Sequence, residues 1–220
     1  MYKRQTLLRS LAAGLRKRGY SADVILNDYA DARLDAATLE CYAASIAPIA
    51  ASCACCGGLE ELMSLCRSAS QASGDILLIE LNGSADPLPI LETFTVSATE
   101  LDLSPRLQVN LVDGRHWGQR DRWTPIEKRQ LETSGAWILS HRESINDERE
   151  KAVTDGIRAA APCAAETNLE GLLDTLIQQI KGEAPHSLPG TSPPGGDTPS
   201  SRGDLISDTV HQLTHLSLIH

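Results

Sequence analysis

Three cysteines stand within four residues, as Cys53-Ala54-Cys55-Cys56. Thiolates bind Zn²⁺ and similar ions, and sulfurs this close in sequence can place two or three ligands on one ion. The remaining ligands must come from elsewhere in the chain. A plainer alternative is a set of buried free thiols packing as small hydrophobes. Cys53 and Cys56 also form a C-x-x-C pair, the spacing of a thiol redox site. That motif normally opens a helix directly after a strand, and here Gly57-Gly58 intervenes.

A second stretch able to do chemistry is Ile79-Glu80-Leu81-Asn82-Gly83-Ser84-Ala85-Asp86-Pro87. A carboxylate at the end of a buried strand can hold Mg²⁺ or its water, and a glycine lets backbone approach a γ-phosphate. The alternative is an acid that merely caps a turn.

Such groups need a scaffold, and the hydrophobic pattern supplies one. Helical periodicity runs over 6–18, with Gly19 as its stop, and over 59–72. Further helices are expected at 87–94, 126–133, 146–160 and 169–181. Strands are expected at 22–26, 75–81, 106–112 and 136–139, the second and third ending in acids. Residues 36–50 are Ala-rich and ambiguous. Strands alternating with helices predict an α/β fold, a mostly parallel sheet with flanking helices. Ligands bind such sheets at the carboxyl ends of the strands. Trp117, Trp123 and Trp137 read as core or helix-packing residues, and Cys41, Cys66 and Cys163 as buried thiols.

Composition narrows the classes. The 220 residues carry 20 Lys+Arg against 29 Asp+Glu, a net charge of −9. No basic stripe is available for broad phosphate neutralisation, so a nucleic-acid partner is not expected. No apolar run approaches a membrane span, and the basic start MYKRQ has no apolar h-region behind it. No membrane partner and a cytoplasmic location are the expectations. Residues 183–203 are rich in Pro, Gly and Ser and read as a flexible linker between a domain at 1–182 and a segment at 204–220. Residues 210–216 have strand character, so that last segment reads as the start of a truncated further domain. The helix at 6–18 has no strand before it, which suggests truncation at the front as well.

Five stretches in order, NDYAD (27–31), SCACC (52–56), ELNGSADP (80–87), VNLVDG (109–114) and ILSHRE (138–143), resemble the nucleotide-binding domain of the CobW-like (CobW/HypB/UreG) P-loop GTPases. Family members show N-E-F-G-E, G-C-I-C-C, E-x-x-G-x-A-D-P, a strand ending V-D-A and a strand ending N-K-x-D. The resemblance covers roughly residues 6–181. It implies a P-loop NTPase-like fold and a role as metallochaperone or metallocofactor-assembly factor. In that role, binding and hydrolysis of Mg²⁺-GTP are coupled to transfer of a transition metal, Zn²⁺ or Co²⁺. A client metalloprotein or cofactor-assembly enzyme would be the partner, and a homodimer is compatible with it. By the resemblance Glu80 is the catalytic carboxylate. Thr6, Gly83, Asp113, Ser140, His141 and Glu143 contact nucleotide. Cys53, Cys55 and Cys56 hold the metal, with Asp31 and His116 as further ligands.

The chain also departs from that pattern. It contains no G-x-x-x-x-G-K-[ST], and Thr6-Leu7-Leu8 matches only the tail of the family's G-K-T-T-L-L. The expected domain therefore lacks its first strand and P-loop, and the chain as written is expected not to turn over GTP. Ser140-His141-Arg142-Glu143 replaces N-K-x-D, which weakens the case for guanine. Leu26 stands where an acid would precede the NDYAD loop. A non-enzymatic metal- or partner-binding module on a degenerate P-loop fold is the alternative.

Overall fold

The computed structural model describes residues 4–26, 39, 41–49, 58–71, 74–97, 101, 107–182 and, as backbone, 216–219. The NDYAD and SCACC stretches lie outside the described residues.

The first helix, α1 (Arg4–Lys17), buries Leu7, Leu8, Leu11, Ala12 and Leu15 on one face. Gly19, at φ 87°, ends it. The Gly19 N–H donates to the Arg16 carbonyl and the Tyr20 N–H to the Leu15 carbonyl, a Schellman closure that only a left-handed residue allows at low cost. Strand β1 (Ala22–Leu26) follows, and then β2 (Ser45–Pro48) out of the ambiguous Ala-rich stretch. Helix α2 (Leu59–Ser70) leads to β3 (Ile76–Glu80). Asp86 caps α3 (Pro87–Val96), accepting from the Leu88 N–H, with Pro87 in the first turn where no N–H is needed.

Strand β4 (Gln108–Asp113) leads through a short 3₁₀ turn, Asp121–Trp123, to α4 (Thr124–Glu132). Then come β5 (Ala136–Ser140), α5 (Asp147–Ala160), the two-residue β6 (Ala165–Glu166) and α6 (Leu169–Ile180). Asn146 caps α5 and Asn168 caps α6, each side chain accepting a backbone N–H three residues on. Residues 216–219, in the segment read above as the opening of a further domain, form β7 of this sheet. Strand character was expected over 210–216; it is found at 216–219, and 210–215 lie outside the described residues.

The described strands are all parallel, in the order β2-β1-β3-β7-β4-β5-β6. Such a sheet must be covered on both faces. Alternate strand residues divide accordingly. Val24, Leu78, Val109, Leu111 and Ile138 pack with α1 and α6. On the other face Ile25, Leu77 and Ile79 pack with α2 and α3, and Val112, Trp137 and Leu139 with α4 and α5. Trp137 is fully buried, as expected, whereas Trp123 is 42% exposed and carries the Arg122 guanidinium 5.1 Å over its ring. Among the three cysteines expected to be buried, only Cys66 is; Cys41 and Cys163 are exposed. Both lie in turns, off the apolar face of any helix.

β7 is the central strand. Its backbone pairs Leu216 with Leu78 and Leu218 with Glu80 on one side, and Ser217 with Gln108 and Ile219 with Asn110 on the other. The first described segment enters α1 directly, and the strand between β3 and β4 comes from the far end of the sequence.

Candidate functional site

The carboxyl ends of β3, β4, β5 and β6 carry most of the described candidates. Glu80 ends β3 at 2% exposure. Its Oε1 lies 3.9 Å from Nε of Arg4, in the first turn of α1, and Arg4 Nη1 donates to the Leu81 carbonyl at 2.6 Å. A cation from another element thus stands against the strand-end acid.

The turn after Glu80 is built from its own side chains. Asn82 Oδ1 accepts from the Ser84 N–H at 3.0 Å and from the Ser84 hydroxyl at 3.1 Å. Gln130, fully buried on α4, donates to the carbonyls of Gly83 (3.0 Å) and Ala85 (2.9 Å). Arg129 pairs with Asp86. The Gly83 loop is therefore tied to α4 by two neighbouring residues, Arg129 and Gln130.

Asp113, at the end of β4, is surrounded by donors. Oδ1 takes the Arg115 N–H (3.0 Å) and Arg115 Nε (3.1 Å). Oδ2 takes Arg115 Nη2 (3.0 Å), His116 Nδ1 (3.1 Å) and, more distantly, Arg120 Nη2 (3.5 Å). Burial alone would raise its pKa, but the hydrogen bonds from Arg115 and His116 prevail and hold the carboxyl far below the usual carboxylate range. These contacts use the acceptor capacity of the carboxylate inside the chain. Asp113 therefore organises its neighbours.

Arg115 reaches further. Its Nη2 lies 3.1 Å from His141 Nε2. A guanidinium only donates, so Nε2 accepts and the ring proton is on Nδ1. His141 is buried and left-handed, with φ 61°. Ser140 donates its hydroxyl to the Val112 carbonyl at 2.8 Å, which joins β5 to β4 rather than facing a ligand. Glu143 lies in the 3₁₀ turn Arg142–Ser144 and is exposed. Its charge helps raise the Arg115 pKa, after the larger effect of the Asp113 hydrogen bonds.

Among the described residues, two hollows flank this edge. One, of about 300 Å³, is lined by Leu7 of α1, Ile138, Leu139 and Arg142 at the end of β5, and the stretch Glu166–Leu169 after β6. Arg142 is the member of Ser140–Glu143 that lines it. Arg142 also pairs with Glu166 and lies 3.5 Å from Glu150. The second, of about 180 Å³, lies between Gly83-Ser84 and Arg120, Trp123, Ile126 and Glu127. Burial raises the Glu127 pKa against the Gly118 N–H and the Arg120 charge, which lower it.

Thr6 lies half-buried in the first turns of α1, ahead of Leu7, which lines the larger hollow. His116 turns Nδ1 to Asp113 and keeps a half-exposed ring, leaving Nε2 as its remaining ligating atom. A histidine oriented by a carboxylate in this way suits metal ligation. Cys53, Cys55, Cys56 and Asp31 lie outside the described residues. Among the described residues, no group of three His, Cys, Asp or Glu is close enough to hold an ion.

Sequence reasoning missed the Arg115–Arg120 cluster, the Gln130 clamp and the Thr167-Asn168 lining. Only the last left a signal, since Asn168 is a helix-capping residue just before an apolar periodic run.

No described helix is long and apolar enough to cross a membrane. The family model for the nucleotide-binding domain of CobW/HypB/UreG matches residues 4–167. No curated protein and no solved structure matches the chain. The matched stretch is most of the chain and contains Glu80, the Gly83 loop, Asp113, and the β5 and β6 ends. The chain belongs to the CobW/HypB/UreG family and carries its nucleotide-binding domain.

Proposed function

We propose that the chain binds a purine nucleoside triphosphate at the carboxyl edge of its sheet and couples that binding to a transition metal. The observation that carries this reading is the hollow between Leu7, Arg142 and Thr167-Asn168, on the same sheet edge as Glu80 and Gly83. In a parallel α/β sheet that edge is the ligand edge. The ring system would lie in the hollow, and the phosphates would run toward the Gly83 loop. Mg²⁺ binds chiefly through phosphate oxygens and water, with one or two carboxylates, and Glu80 is the carboxylate this chain offers. GTP is the nucleotide the family resemblance favours, with Thr6, Ser140, His141 and Glu143 nearby.

The metal would be held by Cys53, Cys55 and Cys56, completed by Asp31 or His116, with Zn²⁺ or Co²⁺ suited to thiolates. The client would be a metalloprotein or a cofactor-assembly enzyme, and a cytoplasmic setting suits free thiolates. The decisive measurement is zinc or cobalt affinity of the chain with and without a non-hydrolysable GTP analogue. A difference of tenfold or more supports coupling; equal affinities remove it.

A second reading, a metal- or partner-binding module without hydrolysis, is favoured by Arg4 standing against Glu80 and by Ser140-His141-Arg142-Glu143 in place of N-K-x-D. Turnover of GTP by the purified chain, abolished by Glu80→Gln, would exclude it.

A further inference from the structure

The hollow of about 300 Å³ has walls of two kinds. Leu7, Ile138, Leu139 and Leu169 give it apolar sides, and Arg142 and Glu166 stand among them as an ion pair. Its volume is at the small end for a ligand site, which suits a ring system rather than a whole nucleotide. Its carboxylate comes from a place the sequence pattern does not point to. Within Ser140–Glu143, Ser140 donates its hydroxyl to the Val112 carbonyl at 2.8 Å, and His141 Nε2 accepts from Arg115. Glu143 is exposed in its 3₁₀ turn and does not line the hollow. Among the described residues, Glu166 at the end of β6 is the one carboxylate that does.

We propose that Glu166, oriented by Arg142, selects the base of the bound nucleotide, and that the selected base is guanine; this rests on the reading of the hollow as the place of the ring. Glu166 is held by two guanidinium groups. Oε1 pairs with Arg142, and Oε2 lies 3.2 Å from Nη2 of Arg158. A carboxylate has about four lone-pair sites, so each oxygen can still accept. Arg142 Nε lies 3.5 Å from Oε1 of Glu150, which does not line the hollow, so two acids set the guanidinium in place.

The pair offers donors and acceptors side by side. Guanine presents the matching set: O6 and N7 accept, while N1–H and the 2-amino group donate. Arginine pairs with O6 and N7, and a carboxylate takes the two donors. Adenine inverts both contacts. Its 6-amino group would face the guanidinium donors, and its unprotonated N1 would face the carboxylate. Asn168, which also lines the hollow, does not offer the adenine amino group a free side-chain acceptor, because its Oδ1 takes the Gly171 N–H at 3.0 Å.

The test is competition on the full chain, with a fluorescent GTP analogue as probe and GTP, ITP and ATP as competitors. ITP lacks the 2-amino group. The unaltered chain should prefer GTP to ATP by about 10- to 100-fold, with ITP between them. In Glu166→Gln the amide both donates and accepts and can meet either base, so the GTP-to-ATP ratio should fall to about 3 or below. Arg142→Gln should shrink the ratio as well. A loss of packing at the end of β6 would weaken both nucleotides alike and leave the ratio as it was. A ratio unchanged in Glu166→Gln, or one that collapses in Glu143→Gln instead, overturns the proposal. Equal binding of GTP and ATP by the unaltered chain also overturns it, and leaves the nucleotide reading in place. Failure of the probe itself to bind removes the nucleotide reading and this assignment with it.

Discussion

Arg115 meets Asp113 as a two-pronged pair, Nε 3.1 Å from Oδ1 and Nη2 3.0 Å from Oδ2. The same Nη2 lies 3.1 Å from His141 Nε2, so one guanidinium ties the end of β4 to the end of β5. Replacing Asp113 with Asn keeps the shape and removes the charge. Hydrogen bonds to a charged partner contribute about 1.5–3 kcal/mol each, so a loss of about 2–3 kcal/mol in urea unfolding is expected. A loss below about 0.5 kcal/mol would show that the cluster holds nothing together.

The same cluster sets an acid limit. The Asp113 pKa is depressed in the folded chain by Arg115 and His116 despite burial, and Asp75 is depressed by the Ser21 N–H and hydroxyl. An unfolded Asp titrates near 3.9, so between the folded value and about pH 4 the unfolded chain binds more protons. Stability from these groups is complete above about pH 4 and declines as pH falls below it. Urea midpoints across pH 2.5–6 should show that slope, and Asp113→Asn should flatten it.

Glu127 has the opposite sign. Burial raises its pKa, so the folded chain holds its proton at pH values where the unfolded chain releases it. Its contribution is complete below the ordinary glutamate range, near 4.3, and is lost as pH rises through the folded value. Glu127→Gln should remove that decline while leaving the acid limb in place. An identical pH profile for the variant and the unaltered chain would contradict the assignment.

Gly156 stands inside α5, where alanine would ordinarily stabilise by about 1 kcal/mol. A Cβ there would lie 2.6 Å from Cζ3 of Trp117. Overpacking costs about 1–3 kcal/mol, so Gly156→Ala is expected to destabilise slightly or to break even. Displacement of the indole should show in the tryptophan emission spectrum. A gain of a full kcal/mol with unchanged emission would refute the contact.

For the metal, the chain is expected to bind about one Zn²⁺. Cys55→Ser with Cys56→Ser should abolish tight binding, and changing Cys41, Cys66 and Cys163 should not. His116→Ala should weaken it if the ring completes the shell. Circular dichroism run beside the titration checks folding. A folded, reduced chain without zinc affinity would end the metal reading.

The hollow after β6 gives a direct test of nucleotide binding. Thr167→Trp would fill space that Leu7, Arg142 and Asn168 share. Binding of a fluorescent GTP analogue should fall at least tenfold while Tm stays within a few degrees. Unaltered binding would place the ring system elsewhere.

The legible parts of the fold were those with strong local patterns. Continuous apolar runs ending in an acid marked β3 and β4, and helical spacing marked α1, α2, α5 and α6 to within a few residues. β6 escaped because two residues, Ala165 and Glu166, carry no period. β2 was hidden in an Ala-rich stretch whose strand residues are only partly buried. β7 had visible strand character, but nothing local says that Leu216 pairs with Leu78. The candidates Glu80, Asp113 and His116 could be named one by one from the sequence. What joins them was not, because Arg115 reaches His141 and Gln130 reaches Gly83 across strands whose order only tertiary pairing reveals.

A ribosome making this chain finishes β3 and β4 well before it reaches β7. About a hundred residues separate Asp113 from Leu216, and at about 5–20 residues per second the wait is roughly 5–20 s. Helices settle in microseconds, so α1 through α6 can gather long before the sheet is whole. In that interval the edges of β3 and β4 lack the partner that β7 supplies, and an unpaired strand edge is a template for clumping. The pairing of β7 with β3 and β4 therefore comes late in synthesis, and slower translation lengthens the wait for it in direct proportion.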